Sequence, residues 1–524
     1  MRRLYRVVFS SAAVSAALII GEVLAVGLLL IAAAYRWVPV YAFLSVLNML
    51  VAAGVITEDC NPEFKLSWLV IILALPFFGA VLYLIFHKRR LSRKEKERGK
   101  RIKAQILADG GDLDHRSLLN LTELAKKSSR AASDALSILK DDGLAAVFSN
   151  TSIRYFPDGE GMYASMLSDL KDARKYVFLE YFIIEEGQMW QGVLNILKEK
   201  APLGVDVRLI YDGVGSLGRL PRDFDKSLSE IGIKVIRFGA LTPLATAAHN
   251  SRDHRKLLII DGEIAYTGGV NVADEYINLK SPHGHWKDGG VRVLGDAALG
   301  FARMFSHTYS LASGESFADE PRAAKGSPSP DLGAACAVTP DGGYYIPFCD
   351  GPAPLFPSYT SKSAIINLIC GSEDFLFITT PYLIIDYDLA EALRRAAKRG
   401  VDVRIITPGV PDKRVVKIMT KSSYHYLLAG GVRIFEYERG FIHEKLMLSG
   451  SLCGIVGTIN LDYRSLVHHL EDGLFIYGSP ELEKMKEEFL RTQSRSREIR
   501  KSSARLTLPE AIIRSLVRLL APLL

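Results

Sequence analysis

Two short motifs of one type, His254-Arg-Lys256 and His443-Glu-Lys445, hold the residues of this chain best suited to chemistry. In an extended strand successive side chains alternate faces, so each His and its Lys point one way and Arg255 or Glu444 the other. A glycine-containing bend follows each pair, Gly268-Gly269 or Gly457-Thr458, and then an asparagine, Asn271 or Asn460. Glycine at such a bend lets the backbone approach a ligand closely. Gathered around one centre, two imidazoles, two ammonium groups and two amides suit a phosphodiester. The cations and amides would neutralise and position the phosphoryl oxygens, while one neutral imidazole attacks phosphorus and the other, protonated, donates to the departing alkoxide. Imidazole titrates near neutrality, so one fold can hold one histidine in each state. A lone His-x-Lys would carry no weight; the doubling does. No His-x-x-x-His or His/carboxylate helix spacing accompanies it, so no metal site is expected, and His249 beside the first motif looks incidental.

The doubling extends well beyond the motifs. Gly204-Val-Asp-Val-Arg208 returns as Gly400-Val-Asp-Val-Arg404, and Gly232-Ile-Lys-Val-Ile-Arg-Phe238 as Gly431-Val-Arg-Ile-Phe-Glu-Tyr437. Gly268-Gly-Val-Asn271 returns as Gly457-Thr-Ile-Asn460, in the same order as the others. A repeat this long is a duplicated domain rather than a solenoid unit. Short apolar runs alternating with amphipathic helical windows make each copy α/β. Strands are expected at Tyr176–Ile183, Asp206–Tyr211, Lys234–Phe238, Lys256–Asp261 and Val291–Leu294, with a helix over Asp296–Ser313. Glu315–Gly343, rich in Ala, Gly, Ser and Pro, reads as a linker between the copies. The expected units are 146–330 and 331–500, facing each other as a pseudo-dimer.

At 524 residues, 48% hydrophobic and 23% charged, the chain has ample apolar content for several folded domains, and disorder is excluded. Its five cysteines are scattered with no C-x-x-C spacing, which argues against a disulfide framework. The net charge of +7 is localised: Lys88–Lys103 holds ten basic and two acidic residues, leaving the remainder near neutral. A nucleic-acid binder spreads its basic surface over the working domain, so no nucleic acid is expected. Three apolar stretches precede this run, at 11–34, 38–56 and 66–86, each long enough for a transmembrane helix, with Trp68 and Tyr83 as interface anchors of the last. The positive-inside rule then puts Thr57–Lys65 outside the cell membrane and everything after Phe86 in the cytoplasm, against the pull of Arg2, Arg3 and Arg6. A cleaved signal peptide is the competing reading of 1–34. Residues 91–145 read as a basic helical connector, and 501–524 as an amphipathic tail that either lies on anionic lipid or docks on a core.

His254-x-Lys256-x4-Asp261-x6-Gly268-Gly269 resembles the paired motif of the phospholipase D superfamily. Leu179-Glu-Tyr-Phe-Ile-Ile184, Asn250-Ser-Arg-Asp-His-Arg-Lys256, Thr380-Pro-Tyr382 and Asn460-Leu-Asp-Tyr-Arg-Ser465 are similar to bacterial cardiolipin synthases within it. The resemblance covers about residues 60–524. It implies two tandem phospholipase D-like α/β/α domains and condensation of two phosphatidylglycerol molecules into cardiolipin and glycerol, without cofactor or metal. It further implies His254 as nucleophile and His443 as general acid and base. Lys256 and Lys445 would hold the phosphate with Asn271 and Asn460 beside them, and Asp261 would belong to the first motif. Asp288 and Glu471, about thirty positions after the histidines, would orient each ring. Where the second motif would carry Asp, this chain has Gly450. Hydrolysis, transfer to another alcohol, and a catalytically degenerate membrane scaffold are the alternatives, and oligomeric state is left open.

Overall fold

The computed structural model describes residues 20–28, 38–87, 115–126, 145–239, 251–314, 338–352, 359–500, 515–519 and 521–523, with scattered residues between 93 and 138 and Phe356. They form two compact units: the N-terminal ninety residues with the C-terminal end, and the body that carries both motifs. The 315–337 part of the linker, most of the connector, most of the first apolar stretch and most of the tail lie outside the described residues.

In the first unit no helix among the described residues is long and apolar enough to cross a membrane. The stretch 66–86, expected as one span, is instead two helices, Pro62–Ala74 and Phe78–Phe86, folded back on each other. One continuous helix would hold Trp68 and Tyr83 about 22 Å apart, whereas their rings meet edge to face at 5.4 Å. The break follows from Pro76, which lacks an N–H and bars Leu75 from helical geometry; Phe77 takes a left-handed φ of 71°. Gly79 lets the second helix pass close to the first, since a Cβ there would stand 2.5 Å from the Ile71 carbonyl oxygen. His87 then bonds the Glu58 carboxylate. The two ends of 58–87 therefore meet, where a single helix over 66–86 would hold them far apart. The helical end Ser515–Leu519 packs here as well, its Leu519 carbonyl accepting from Ser67 Oγ at 2.6 Å.

The body is built twice. Its first sheet runs in the order Thr151–Phe156, Gly290–Gly295, Ile264–Gly268, Lys256–Ile260, Tyr176–Tyr181, Asp206–Asp212, Lys234–Phe238. The second follows the same order with Tyr344–Asp350, Glu471–Tyr477, Cys453–Gly457, Leu446–Ser449, Phe375–Thr379, Asp402–Pro408 and Arg433–Tyr437, and adds Ser496–Glu498 at its edge. In each, the last three of these seven strands are parallel and the rest antiparallel. Central strands such as Lys256–Ile260 are buried along their whole length, the pattern of a sheet covered on both faces. Helices show why they form: Tyr387–Lys398 is capped by Asp386 accepting from Leu389 N and presents Leu389, Leu393 and Ala396 to the core at helical spacing. The two halves share one core, in which Phe178 stacks on Phe305, Phe377 on Phe489, and all four belong to one buried cluster.

Asp261, expected with the catalytic residues, is not among them. It ends the strand begun by Lys256, about 16 Å along at 3.3 Å per residue. Its carboxylate accepts from Arg174 N at 2.8 Å, Lys175 N at 2.7 Å and Tyr176 N at 2.8 Å, at a φ of 55°. Gly450 occupies the matching corner of the second half: φ is 57°, and its N–H donates to Phe375 O at 2.9 Å as that of Asp261 does to Tyr176 O at 3.0 Å. A Cβ at 450 meets nothing within 4 Å. Glycine adopts this φ without penalty but gives up the side-chain bonds, so its effect is on a remote corner. Gly450→Asp should therefore raise stability by about 1 kcal/mol, or ~2–4 °C in Tm, with turnover unchanged. Calorimetry beside a rate assay checks this, and a large loss of rate would place the position in the chemistry.

Candidate active site

Each histidine lies in an extended segment that pairs with the other half of the molecule. Residues 252–254 run beside Leu470, with Leu470 N donating to Arg252 O at 2.8 Å and His254 N to Leu470 O at 2.9 Å. Gly440–Ile442 likewise runs parallel to His285–Lys287, and His443 N donates to Lys287 O at 2.7 Å. The residue after Leu470 is Glu471 and the residue after Lys287 is Asp288, so each crossed pairing sets a carboxylate from one half beside the imidazole of the other. His254 Nδ1 lies 3.0 Å from Glu471 Oε2, and His443 Nδ1 lies 2.6 Å from Asp288 Oδ2. Both acids thus sit at the histidines, but spacing along the chain had suggested that each serves the motif before it. The pairing is exchanged between halves.

Both acids are fully buried and both are ionised. Burial works to raise Asp288, yet His443, Lys445 and the Gly289 N–H hold it below the usual range. Burial likewise opposes ionisation of Glu471, and the neighbouring His254 and His469 hold it well below that range. Glu471 also accepts from Thr458 Oγ1 at 2.5 Å and from Ser465 Oγ. Behind it, Arg255 points away from the site as strand alternation requires and donates Nε–H to the Glu471 carbonyl at 3.1 Å. Arg255 is itself held by Thr308 Oγ1 at 2.6 Å and by Glu180.

Burial lowers both imidazoles: His254 well below its ordinary value, and His443 to about 4, with Lys445 adding to the effect. Both are neutral at rest, so the expectation of one histidine in each protonation state does not hold for the unliganded site. The first reason is desolvation of the buried rings, to which the neighbouring ammonium groups add. Burial brings Lys256 down to about 8 and Lys445 to about 7, against the pull of Asp288 and Glu471, which act on both lysines. Lys256 further depresses Lys445 and His443, so charges from the two halves converge on one centre. They differ in detail. Lys445 Nζ stands 2.9 Å from His443 Nδ1 and 3.0 Å from Nε2, so it lies against the ring rather than along one lone pair. Lys256 Nζ turns to its own His254 carbonyl, and the ring of His254 packs edge-on to Phe182 at 5.1 Å.

The glycines and asparagines act differently from expectation. A Cβ at Gly269 would stand 1.9 Å from Asp288 Oδ1, and one at Gly268 2.4 Å from Gly289 O. Gly457 faces the Asp472 carbonyl in the same way, at 2.3 Å. These residues make room for the acid-bearing segments rather than for a ligand, and Thr458 takes the place of Gly269 by bonding its acid. The amide of Asn271 accepts from Ile183 N at 3.0 Å and donates to Tyr276 OH at 2.6 Å, bracing a ring that packs edge-on to His443 at 5.5 Å. Asn460 is buried, and among the described residues its Oδ1 has no hydrogen-bond partner.

The comparisons with known proteins fit this arrangement. The family model described as "Cardiolipin synthase, PLD-like domain" matches residues 166–281 and 365–493, and a "Phospholipase_D-nuclease N-terminal" model matches 40–86. A cardiolipin synthase of Alkalihalophilus pseudofirmus is 30% identical over 89% of this chain and 90% of its own length. The chain belongs to the bacterial cardiolipin synthase family. An uncharacterised protein of Streptococcus mutans is 37% identical over 88% of this chain and 96% of its own. The crystal structure of a phosphatidylserine synthase from Haemophilus influenzae shares the fold, with a TM-score of 0.54 at 13% identity over 71% of this chain and 95% of that one.

One residue of this cardiolipin synthase-type site went unnoticed in the sequence. His469 is 8% exposed, its ring lies 5.4 Å from that of His254, and its Nδ1 stands 3.6 Å from Glu471 Oε1. Only its position two residues before Glu471 could have pointed to it. Among the described residues His254, His469 and Glu471 form the one group whose donor atoms, within 4.8 Å of one another, a metal ion could use. Glu471 is already committed to Thr458, Ser465 and His254, so an ion there would displace the bond that orients His254.

The two lysines set the alkaline limit of this site. Each must be protonated to hold an anion, and with values of about 7 and about 8 both discharge as pH rises through that range. kcat/KM, which reports the free enzyme, should begin to fall near pH 7 and, because both groups must be protonated, approach about a hundredfold loss per unit well above pH 8. Lys445→Arg, which cannot discharge in this range, should flatten the part of the fall nearer 7. A wild-type profile level to pH 10 would contradict the assignment.

Proposed function

We propose that this protein is a membrane phosphatidyltransferase that condenses two phosphatidylglycerol molecules into cardiolipin and glycerol through a phosphohistidine. The observation that carries the reading is the pair of exchanged carboxylate–imidazole contacts around two facing lysines, in a member of the cardiolipin synthase family. His254 is the better nucleophile. Glu471 accepts its Nδ1–H, which leaves the Nε2 lone pair for phosphorus, and Lys256 turns to the His254 carbonyl, whereas Lys445 Nζ crowds both ring nitrogens of His443.

A lipid phosphodiester entering between Lys256 and Lys445 offsets the charge that depresses His443 and lifts that ring toward protonation. The P–N bond to His254 forms as the P–O bond to glycerol breaks, and His443 gives its proton to the departing glycerol oxygen. In the second half-reaction neutral His443 takes the proton of the incoming phosphatidylglycerol hydroxyl, whose oxygen attacks phosphorus and expels His254. The two half-reactions leave the enzyme unchanged. Gly450 lies at the far corner of its strand, so it gives no support to a degenerate scaffold. The basic run Lys88–Lys103, on the side of anionic cytoplasmic lipid, supports a cell-membrane location with the catalytic body in the cytoplasm.

Purified protein in detergent with phosphatidylglycerol should yield cardiolipin and glycerol in equal amounts; phosphatidic acid alone would establish hydrolysis instead. His254→Asn should lower turnover by at least about 10³-fold and abolish acid-labile phosphate capture while still reaching the membrane. Retention of full activity in that variant would remove His254 from the mechanism.

A further inference from the structure

The helix Arg414–Ala429 of the second half presents an unusual outer face. Val415 and Ile418, one turn apart, are 56% and 43% exposed, and Val410 just before the helix is 38% exposed. Around them Lys413, Arg414 and Lys421 are exposed. From Gly409 to Gly430 the one acidic residue is Asp412, which accepts from Tyr382 OH at 2.7 Å. Lys417 turns inward to Glu436. The solvent side of the first turns is thus apolar and basic, with Asp412 the one carboxylate set against Lys413, Arg414 and Lys421. The matching connection of the first half carries the short helix Phe224–Glu230, flanked and filled by Asp223, Asp225 and Glu230. The feature therefore belongs to one half alone.

Behind this face lies a small cleft lined by Tyr382, Pro411, Val416 and Phe441 together with the polar Asp412, Lys417 and Thr420. Phe441 forms its inner wall, and on its other side packs against Trp286 at 4.8 Å and His443 at 5.9 Å. Phe441 thus separates the cleft behind the exposed valines and isoleucine from the reacting centre. Lys445 and His443 are buried, and a lipid phosphate can reach them only if its acyl chains stay in apolar surroundings on the way.

We propose that Val410 and the first two turns of helix Arg414–Ala429 dock the catalytic body on an anionic bilayer, so that lipid enters past Phe441. The proposal rests on the phosphatidyltransferase reading of the site. Val, Ile and cationic side chains on one helix face are what an interfacial contact requires, apolar area entering the acyl boundary while the charges meet headgroups.

The test compares two presentations of one headgroup. Val415→Ser/Ile418→Ser should lose about tenfold activity on phosphatidylglycerol in bilayer nanodiscs, since burying the exposed halves of both side chains together is worth about that factor. On monomeric dihexanoyl phosphatidylglycerol it should stay within about twofold of the parent, which also reports correct folding. Equal activity on bilayers would overturn the proposal, as would an equal loss on both substrates. A parent chain inactive on both would instead sink the functional reading. In that case a benzoylphenylalanine cross-linker in place of Ile418 still decides the surface. Lipid adducts in phosphatidylglycerol vesicles, absent from the same label at exposed Leu203, support it; adducts to a second copy of the chain, or none, overturn it.

Discussion

The site depends on an exchange: each half of the body lends its carboxylate to the other's histidine. This is enforced by backbone. The segment before His254 is hydrogen-bonded to Leu470, and that before His443 is paired with 285–287, so Glu471 and Asp288 are delivered across the interface by main-chain registry. Neither half holds an oriented imidazole by itself. The shared core of stacked aromatic rings fixes the registry, and the registry fixes the tautomers.

Electrostatics follow from that exchange. Buried charge is costly unless it is offset nearby, and here two ionised carboxylates face two ammonium groups poised near neutrality. The cluster is close to balanced when empty. A phosphodiester adds one negative charge, which holds both lysines protonated and relieves the depression of His443. Binding of an anion and readiness to transfer a proton are thereby one event. Arg255 and Glu444, on the reverse of each motif, anchor the same strands from behind: Arg255 reaches the Glu471 carbonyl, and Glu444 accepts from Tyr155 OH at 2.5 Å.

Much of this was legible in the residues. The duplicated motifs, the repeated Gly-Val-Asp-Val-Arg strands and the alternating apolar pattern are local signals, and the five strands expected between Tyr176 and Leu294 fall within a residue or two of their limits, though Ile264–Gly268 and His285–Lys287 were not expected. What could not be read depends on contacts between distant segments. Counting thirty residues from a histidine finds the correct acid types but not their exchange, because strand pairing across the interface leaves no spacing. Gly269 looks like a phosphate-loop glycine until Asp288 is seen occupying its Cβ position. Apolar content from Leu66 to Phe86 suits a span, and Pro76 alone hinted that two antiparallel helices form instead. His469 has no counterpart in the first half, where Trp286 holds the place two residues before the acid, so the repeat gave no cue.

The exchanged pairing is open to direct observation. In a spectrum of the protein with ¹⁵N-labelled histidine, the Nδ1–H of His254 should appear as a strongly hydrogen-bonded, downfield resonance assigned by His254→Asn. It should vanish in Glu471→Gln and persist in Asp288→Asn. Loss of that signal in Asp288→Asn, with Glu471→Gln unaffected, would mean that each half keeps its own acid, and the account given above would fail.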